Sequence, residues 1–198
     1  MRAIVESLVI MLFVLPAREP LPAQQPPSVA APRRGFYATV GAASGQAAEN
    51  CTGAGCATTS VSYPGPAVTL AIGGSLSPHW AIGFEGDVWT NPQAVQGYTM
   101  AFYSAMIAYY PSRTSNLWIK VGPGYVTNGK DESGNGTSYG MTGGVGAGYD
   151  WMPTRRGFAV IPFATYLHQF SGNNVSHGSS AILMGNLFML GVGFGYRH

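Results

Sequence analysis

The last stretch of the chain, residues 186–198 (NLFMLGVGFGYRH), limits the possible folds more than any other. Phe188, Leu190, Val192, Phe194 and Tyr196 recur at every second position, and Gly191, Gly193 and Gly195 lie between them. A period of two belongs to an extended strand, whose successive side chains point to opposite faces. One face is therefore large and apolar, and the other is nearly bare. That contrast suits a wall with lipid outside and a crowded interior inside.

The same alternation recurs upstream. Strands are predicted over residues 35–43, 66–76, 80–90, 98–110, 117–127, 139–151, 158–170 and 180–197. The third is the cleanest, with Trp80, Ile82, Phe84 and Val88 against Ala81, Gly83, Glu85 and Asp87. In the seventh, Pro162 interrupts the alternation and is expected at a bulge or a non-bonding position. The connections alternate between long glycine-rich loops and short proline-marked turns, which puts both termini on the short-turn side. Eight strands in this order predict an all-β, antiparallel, up-and-down transmembrane barrel. An even count lets the first and last strands pair, so no edge faces lipid.

Composition supports a membrane reading. Charged residues make up 9% of the 198 residues, where a soluble domain has about 25%, and there are 28 glycines and 12% aromatics. Beyond the N-terminus no apolar run reaches the ~18 residues of a membrane helix. A net charge of +2, with no basic run interleaved with aromatics, gives no reason to expect nucleic acid.

Residues 1–23 read as a secretory signal, with Arg2, an apolar core at residues 8–15 and a small-residue cleavage site at Leu21-Pro22-Ala23. Residues 24–34 are a proline-rich periplasmic leader, and residues 35–198 the barrel domain. Cys51 and Cys56 (CTGAGC) are expected to close a local disulfide in a loop, as an oxidising compartment allows. Aromatic girdles are expected at both interfaces. Phe36, Trp80, Tyr109, Trp118, Trp151, Phe158 and Tyr196 fall at the short-turn end, and Tyr63, Trp89, Tyr98, Tyr125, Tyr139 and Phe170 at the long-loop end. Arg33, Arg34, Arg113, Arg155, Arg156 and Arg197 gather at the short-turn end, while Glu49, Lys130, Asp131 and Glu132 are placed in long loops.

Four charged residues fall at predicted interior positions. Glu85, Asp87, Lys120 and Asp150 form an expected lumen polar network, with Lys120 paired to Glu85 or Asp87 and Asp150 nearby, because a charge in a narrow barrel is costly unless paired. An ion or proton path is the functional alternative to a structural network. His168, His177, Ser171 and Ser179 suggest a hydrolase, but no Asp or Glu follows Asp150 to orient a histidine base. The G-x-G patterns at residues 143–148 and 191–195 open no helix, so a dinucleotide cradle fails its context test. No cofactor or metal is expected, and His79 and His198 are assigned no role.

The terminal strand (FMLGVGFGYRH), the turn-and-strand segment SLSPHWAIGFEGDVW and the signal together resemble the small eight-stranded outer-membrane barrels, the OmpA transmembrane domain and OmpX, over nearly the whole mature chain. In that family the final strand usually ends in an aromatic residue read by the barrel-assembly machinery; here Arg197 and His198 follow Tyr196. Phe188, Leu190, Val192, Phe194 and Tyr196 are accordingly read as the assembly and closing strand. The resemblance implies a monomer in the bacterial outer membrane, surrounded by outer-membrane lipid and acting without catalysis through its long loops. A narrow pore for small or apolar molecules is the second reading. A lipid A-modifying enzyme is the third, since His177-Gly178-Ser179 supplies only part of the H-x-S-N signature of lipid A deacylases.

Overall fold

The computed structural model describes residues 35–52, 61–91, 98–113, 115–130, 138–152, 157–174 and 182–197. The signal and leader segments, Cys56 and the side chain of Cys51 fall outside the described residues, and the expected disulfide with them. The strands, in chain order, are β1 (Gly35–Thr52), β2 (Val61–Ser75), β3 (Trp80–Asn91), β4 (Tyr98–Tyr109), β5 (Leu117–Lys130), β6 (Ser138–Tyr149), β7 (Gly157–Gln169), β8 (Asn173–Asn174) and β9 (Ile182–Arg197). β8 is a two-residue pairing of Asn173 and Asn174 with Tyr139 and Ser138 of β6. The other eight form the wall, each antiparallel to its neighbours, and β9 pairs with both β7 and β1 to close it.

Closure follows from the sequence parity. Tyr37 pairs with Arg197 and Thr52 with Ile182, so β1 and β9 run alongside each other over nearly all of β1. Phe188, Leu190, Val192, Phe194 and Tyr196 all point outward, while Leu187, Met189, Gly193 and Gly195 are buried. Gly191 faces the lumen too, where a Cβ would lie 2.6 Å from that of Ala43 and 2.8 Å from the Phe163 ring. Strands β3 and β7 alternate exposed and buried positions along their length. Every strand of the wall presents large apolar side chains to the outside, Leu70, Phe84, Ile107, Val121, Val145 and Phe194 among them. No described exposed strand position carries Asp, Glu, Lys or Arg. An apolar band of that extent, continuous around a closed wall, is the surface a bilayer core requires.

Four prolines sit in the wall without shifting the register, Pro64 and Pro66 in β2, Pro123 in β5 and Pro162 in β7. The β4–β5 ladder passes from Ser104–Gly124 to Ile107–Val121 across Pro123, and the β6–β7 ladder resumes at Trp151–Val160 beyond Pro162. Proline has no N–H to give, so a local stretch of ladder is lost and the pairing continues unshifted. Pro162 therefore occupies the non-bonding position, facing outward, with no bulge.

The short turns are tightly tied. Between β2 and β3 the Leu76 and Ser77 amides donate to the Trp80 carbonyl at 2.8 and 3.1 Å, and His79 Nδ1 donates to the Tyr110 carbonyl at 2.8 Å. Gly157 opens β7 at φ 113°, a conformation open to glycine and costly for other residues.

Several expectations are corrected. β1 extends to Thr52, and Glu49 and Cys51 lie in this strand and Lys130 in β5, where loops were expected. β1, β2 and β9 have 18, 15 and 16 residues against 12 in β3, β4 and β6, so the wall rises higher on one side. Trp118 and Trp89 do not belong to the girdles, being 8% and 0% exposed and turned into the lumen. Tyr63 likewise packs against the interior. Strand parity had placed the two tryptophans inside, and membrane-interface preference is a weaker constraint than the pleat. Phe36, Trp80, Trp151, Phe158 and Tyr196 do form an outward short-turn girdle, with Phe158 edge-on to Tyr196 at 5.8 Å.

Phe84 lies on the outer face about midway along β3. Phe84→Arg should destabilise the barrel by about 2–4 kcal/mol in lipid vesicles. Guanidinium titration measures this, and a loss below 1 kcal/mol would contradict a bilayer-facing position.

Candidate functional site in the barrel lumen

The interior is layered because side chains of one parity from all eight wall strands converge on it. Toward the long loops a large apolar cluster fills much of it. Trp89, Met100, Phe102, Leu167, Leu187 and Met189 are fully buried and in mutual contact. Glycines make this packing possible: a Cβ on Gly45 would lie 2.6 Å from the Trp89 ring, whose Nε1 donates to the Gly45 carbonyl at 3.3 Å. A second apolar cluster toward the short turns contains Tyr110, Trp118, Ala159, Ile161 and Phe163.

Charged residues lie between and below these clusters. Lys120 Nζ donates to both carboxylate oxygens of Glu85 at 2.5 Å, and both side chains are about nine-tenths buried. The ammonium also stands 5.6 Å from the centre of the Trp118 ring, within reach of a cation–π attraction. Lys120 pairs in register with Gly146, where a Cβ would lie 2.6 Å from Lys120 Cε, so the lysine stem needs a glycine opposite.

Asp87, two residues beyond Glu85 on the same face, is completely buried. Glu85, Lys120 and the Thr69 hydroxyl are near enough to interact with it electrostatically. Neither Asp87 carboxylate oxygen makes a hydrogen bond of ordinary length and angle among the described residues, although Thr69 and Glu85 stand close enough to approach one. The buried hydroxyls of Ser104, Thr142 and Thr165 also lack partners there.

Asp150 lies nearer the short turns. It accepts from Trp118 Nε1 at 2.9 Å and Tyr110 Oη at 3.1 Å, and its own amide donates to the Asn116 carbonyl at 3.0 Å. Trp118 thus stands between the two groups, donating to Asp150 while the Lys120 ammonium lies 5.6 Å from the centre of its ring. In the β5–β6 register Lys120 stands opposite Gly146, four residues above Asp150, or about 13 Å along the strand.

A third polar cluster near the long-loop end was not anticipated. Gln169 Oε1 accepts from Asn128 Nδ2 at 3.3 Å and from the Gly185 amide at 2.9 Å, while its Nε2 donates to the Ser171 carbonyl at 3.0 Å. Parity alone could have put Gln169 and Asn128 inside, but only the register brings them together. A cavity of about 60 Å³, room for a few water molecules, lies in the short-turn half, bounded by Thr69, Glu85, Lys120, Tyr110, Trp118 and Phe163 among others.

The suspected hydrolase residues do not converge. His168 is on the outer face, its Nδ1 within 2.5 Å of Asn186 Oδ1 and its ring stacked 6.4 Å from Tyr166. Ser171 Oγ accepts from the Met141 amide at 3.1 Å. His177 and Ser179 fall outside the described residues. Among the described residues no three His, Cys, Asp or Glu side chains converge as metal ligands.

Breaking a buried ion pair from one side leaves the partner's charge unsolvated. Lys120→Met should therefore cost about 3–5 kcal/mol, with most of it regained in the Glu85→Leu/Lys120→Met double variant. A double-mutant cycle in chemical denaturation checks this; additive losses would show that the two charges are not energetically coupled.

No family model and no curated protein sequence matches the chain. Solved structures do resemble it. Neisserial surface protein A superposes with a TM-score of 0.57 at 16% identity, over 82% of this chain and 97% of that one. The outer membrane protein OprG from Pseudomonas aeruginosa gives 0.49 at 11% identity, over 84% and 98%. Ail, the attachment invasion locus protein of Yersinia pestis, gives 0.47 at 12% identity, over 80% and 98%. At such identities the likeness is one of fold, and the first of these carries it.

Proposed function

We propose that this chain is a non-enzymatic barrel of the bacterial outer membrane that acts through its long-loop end, in surface interaction or envelope structure. The fold is that of the small eight-stranded outer-membrane barrels, and the apolar outer band with its short-turn aromatic girdle supports residence in a bilayer. The observation that carries the functional reading is the filled lumen. Packed side chains of Trp89, Met100, Phe102, Leu167, Leu187 and Met189 occupy its upper half, and the Glu85–Lys120 pair crosses it below. Small barrels of this width are usually filled rather than open. A filled interior and a lipid-covered exterior leave the two ends for contact with other molecules. The taller β9–β1–β2 side raises part of the wall toward the loops.

A catalytic reading has less support, since His168 faces outward with an amide and not a carboxylate beside it. As partners we propose outer-membrane lipid and the barrel-assembly machinery, with a monomeric barrel.

Planar-bilayer recordings test the reading directly. The intact barrel should give no discrete conductance steps, and replacing residues 53–60, 92–97, 131–137 and 175–181 by short turns should leave a heat-modifiable barrel that has lost surface binding. Stable single-channel steps would favour the pore. A changed lipid A profile that reverts in His168→Ala or His177→Ala would favour the enzyme.

A further inference from the structure

From a groove in the outer wall we infer a binding site for one phospholipid of the leaflet on the short-turn side. Its acyl chain lies diagonally across the strands from β3 to β9, and its phosphate meets the β4–β5 turn. The inference rests on the barrel's residence in a bilayer and not on the surface role proposed above. The groove has a volume of about 590 Å³ and is lined almost wholly by apolar atoms.

Register fixes its course. Trp80 pairs with Tyr109, Tyr109 with Ile119, Ile119 with Ala147, Ala147 with Ala164 and Ala164 with Leu190. Paired residues share a face, so these form one continuous row on the outside of the wall. Val121, Val145, Tyr166 and Phe188 border the row, each two residues nearer the long loops. Ala147 and Ala164 stand side by side between these larger neighbours, and their short side chains make the floor. The row also climbs. Trp80 belongs to the short-turn girdle, whereas Ala164 lies six residues above Phe158, and Leu190 six above Tyr196, both of that girdle. Six residues are about 20 Å of strand, or about 15 Å of height at a tilt of about 40°. That is the depth of one leaflet in a hydrocarbon core about 30 Å thick. The groove therefore starts at the girdle and ends near mid-membrane, which is the path of a single acyl chain.

The lower end selects the head group. It opens at Trp80 and Tyr109, whose rings lie 4.7 Å apart, with the His79 ring stacked 6.3 Å from Tyr109. Such amphipathic rings sit at the level of lipid head groups. The turn that joins β4 to β5 continues from this point and carries Arg113, which is exposed. A guanidinium just beyond an aromatic girdle suits a phosphate ester, to which it can donate two parallel hydrogen bonds. A second copy of the barrel fits less well. Every carboxylate side chain among the described residues is buried, so a neighbouring wall has no anion to set against Arg113.

The test is native mass spectrometry of the refolded barrel, released from detergent micelles doped with dipalmitoyl phosphatidylglycerol. One phospholipid per barrel should persist after the detergent is stripped. Ala147→Leu/Ala164→Leu fills the floor and should cut the lipid-bound fraction several-fold. Ala42→Leu, at an exposed position of β1 away from the groove, should leave that fraction unchanged. Arg113→Gln should lower it too, and remains informative if the double variant does not fold. No retained lipid, or several lipids held alike by all the variants, would overturn the inference. A dimer that the floor substitutions dissociate would also overturn it and assign the groove to a second copy. A barrel that does not insert into phospholipid vesicles would overturn the bilayer reading, and this inference with it.

Discussion

Every backbone amide and carbonyl within a bilayer must find its partner in the protein, because hydrocarbon offers none. That constraint governs this barrel. The pairing of β1 with β9 from Tyr37–Arg197 to Thr52–Ile182 removes the two edges that an open sheet would expose. It also explains where the wall tolerates defects. Pro123 and Pro162 each cost a short stretch of one ladder, and β7 still pairs with β9 through Pro162–Val192. Once closure is imposed, the pleat assigns each residue to lipid or lumen, and the remaining features follow from which residue occupies which parity.

For that reason most of the fold was legible in the sequence. Alternation identified the eight wall strands, the order of long and short connections and the outward set Phe188 to Tyr196. Misreadings arose where a second criterion displaced parity. Trp89 and Trp118 were assigned to girdles from their position near strand ends, although Asp87 and Lys120, two residues away, had already been placed inside. The length of β1 was missed for another reason. Its upper half, SGQAAENCT, has the composition of a loop and is a strand because β9 pairs along all of it and β2 as far as Glu49. No local signal carries that information.

The lumen was half legible, and the boundary is physical. Parity gives the face of a side chain but not its height relative to other strands, which depends on the stagger of a tilted, closed sheet. Glu85, Asp87, Lys120 and Asp150 were all expected inside, and all are buried. A pairing of Lys120 with Glu85 or Asp87 was expected, and the register decides for Glu85. The β3–β4 and β4–β5 registers carry Glu85 to within reach of Lys120, while the β5–β6 register sets Asp150 about 13 Å lower along the strand. The same stagger brings Gln169 to Asn128, a contact between residues 41 positions apart that nothing local suggests.

Glycine joins these two levels of description. On β6, Gly144, Gly146 and Gly148 face the lumen, and a Cβ on each would collide respectively with Met106 and Leu167, with the Lys120 stem, and with the Trp118 ring. These three glycines therefore set how deeply the large lumen-facing side chains of β4, β5 and β7 can reach. The bare face noticed first in the sequence is not unused surface. On the terminal strand Gly191, Gly193 and Gly195 leave room for Phe163, Thr39 and Ile161, and on β6 the same kind of face is the volume into which Lys120 extends to meet Glu85 and Trp118 turns to meet Asp150. Filling that volume with side chains from other strands closes the lumen, and a closed lumen moves any contact with the outside to the ends of the barrel. The glycine spacing and the interaction through the loop end are thus connected by one packing argument.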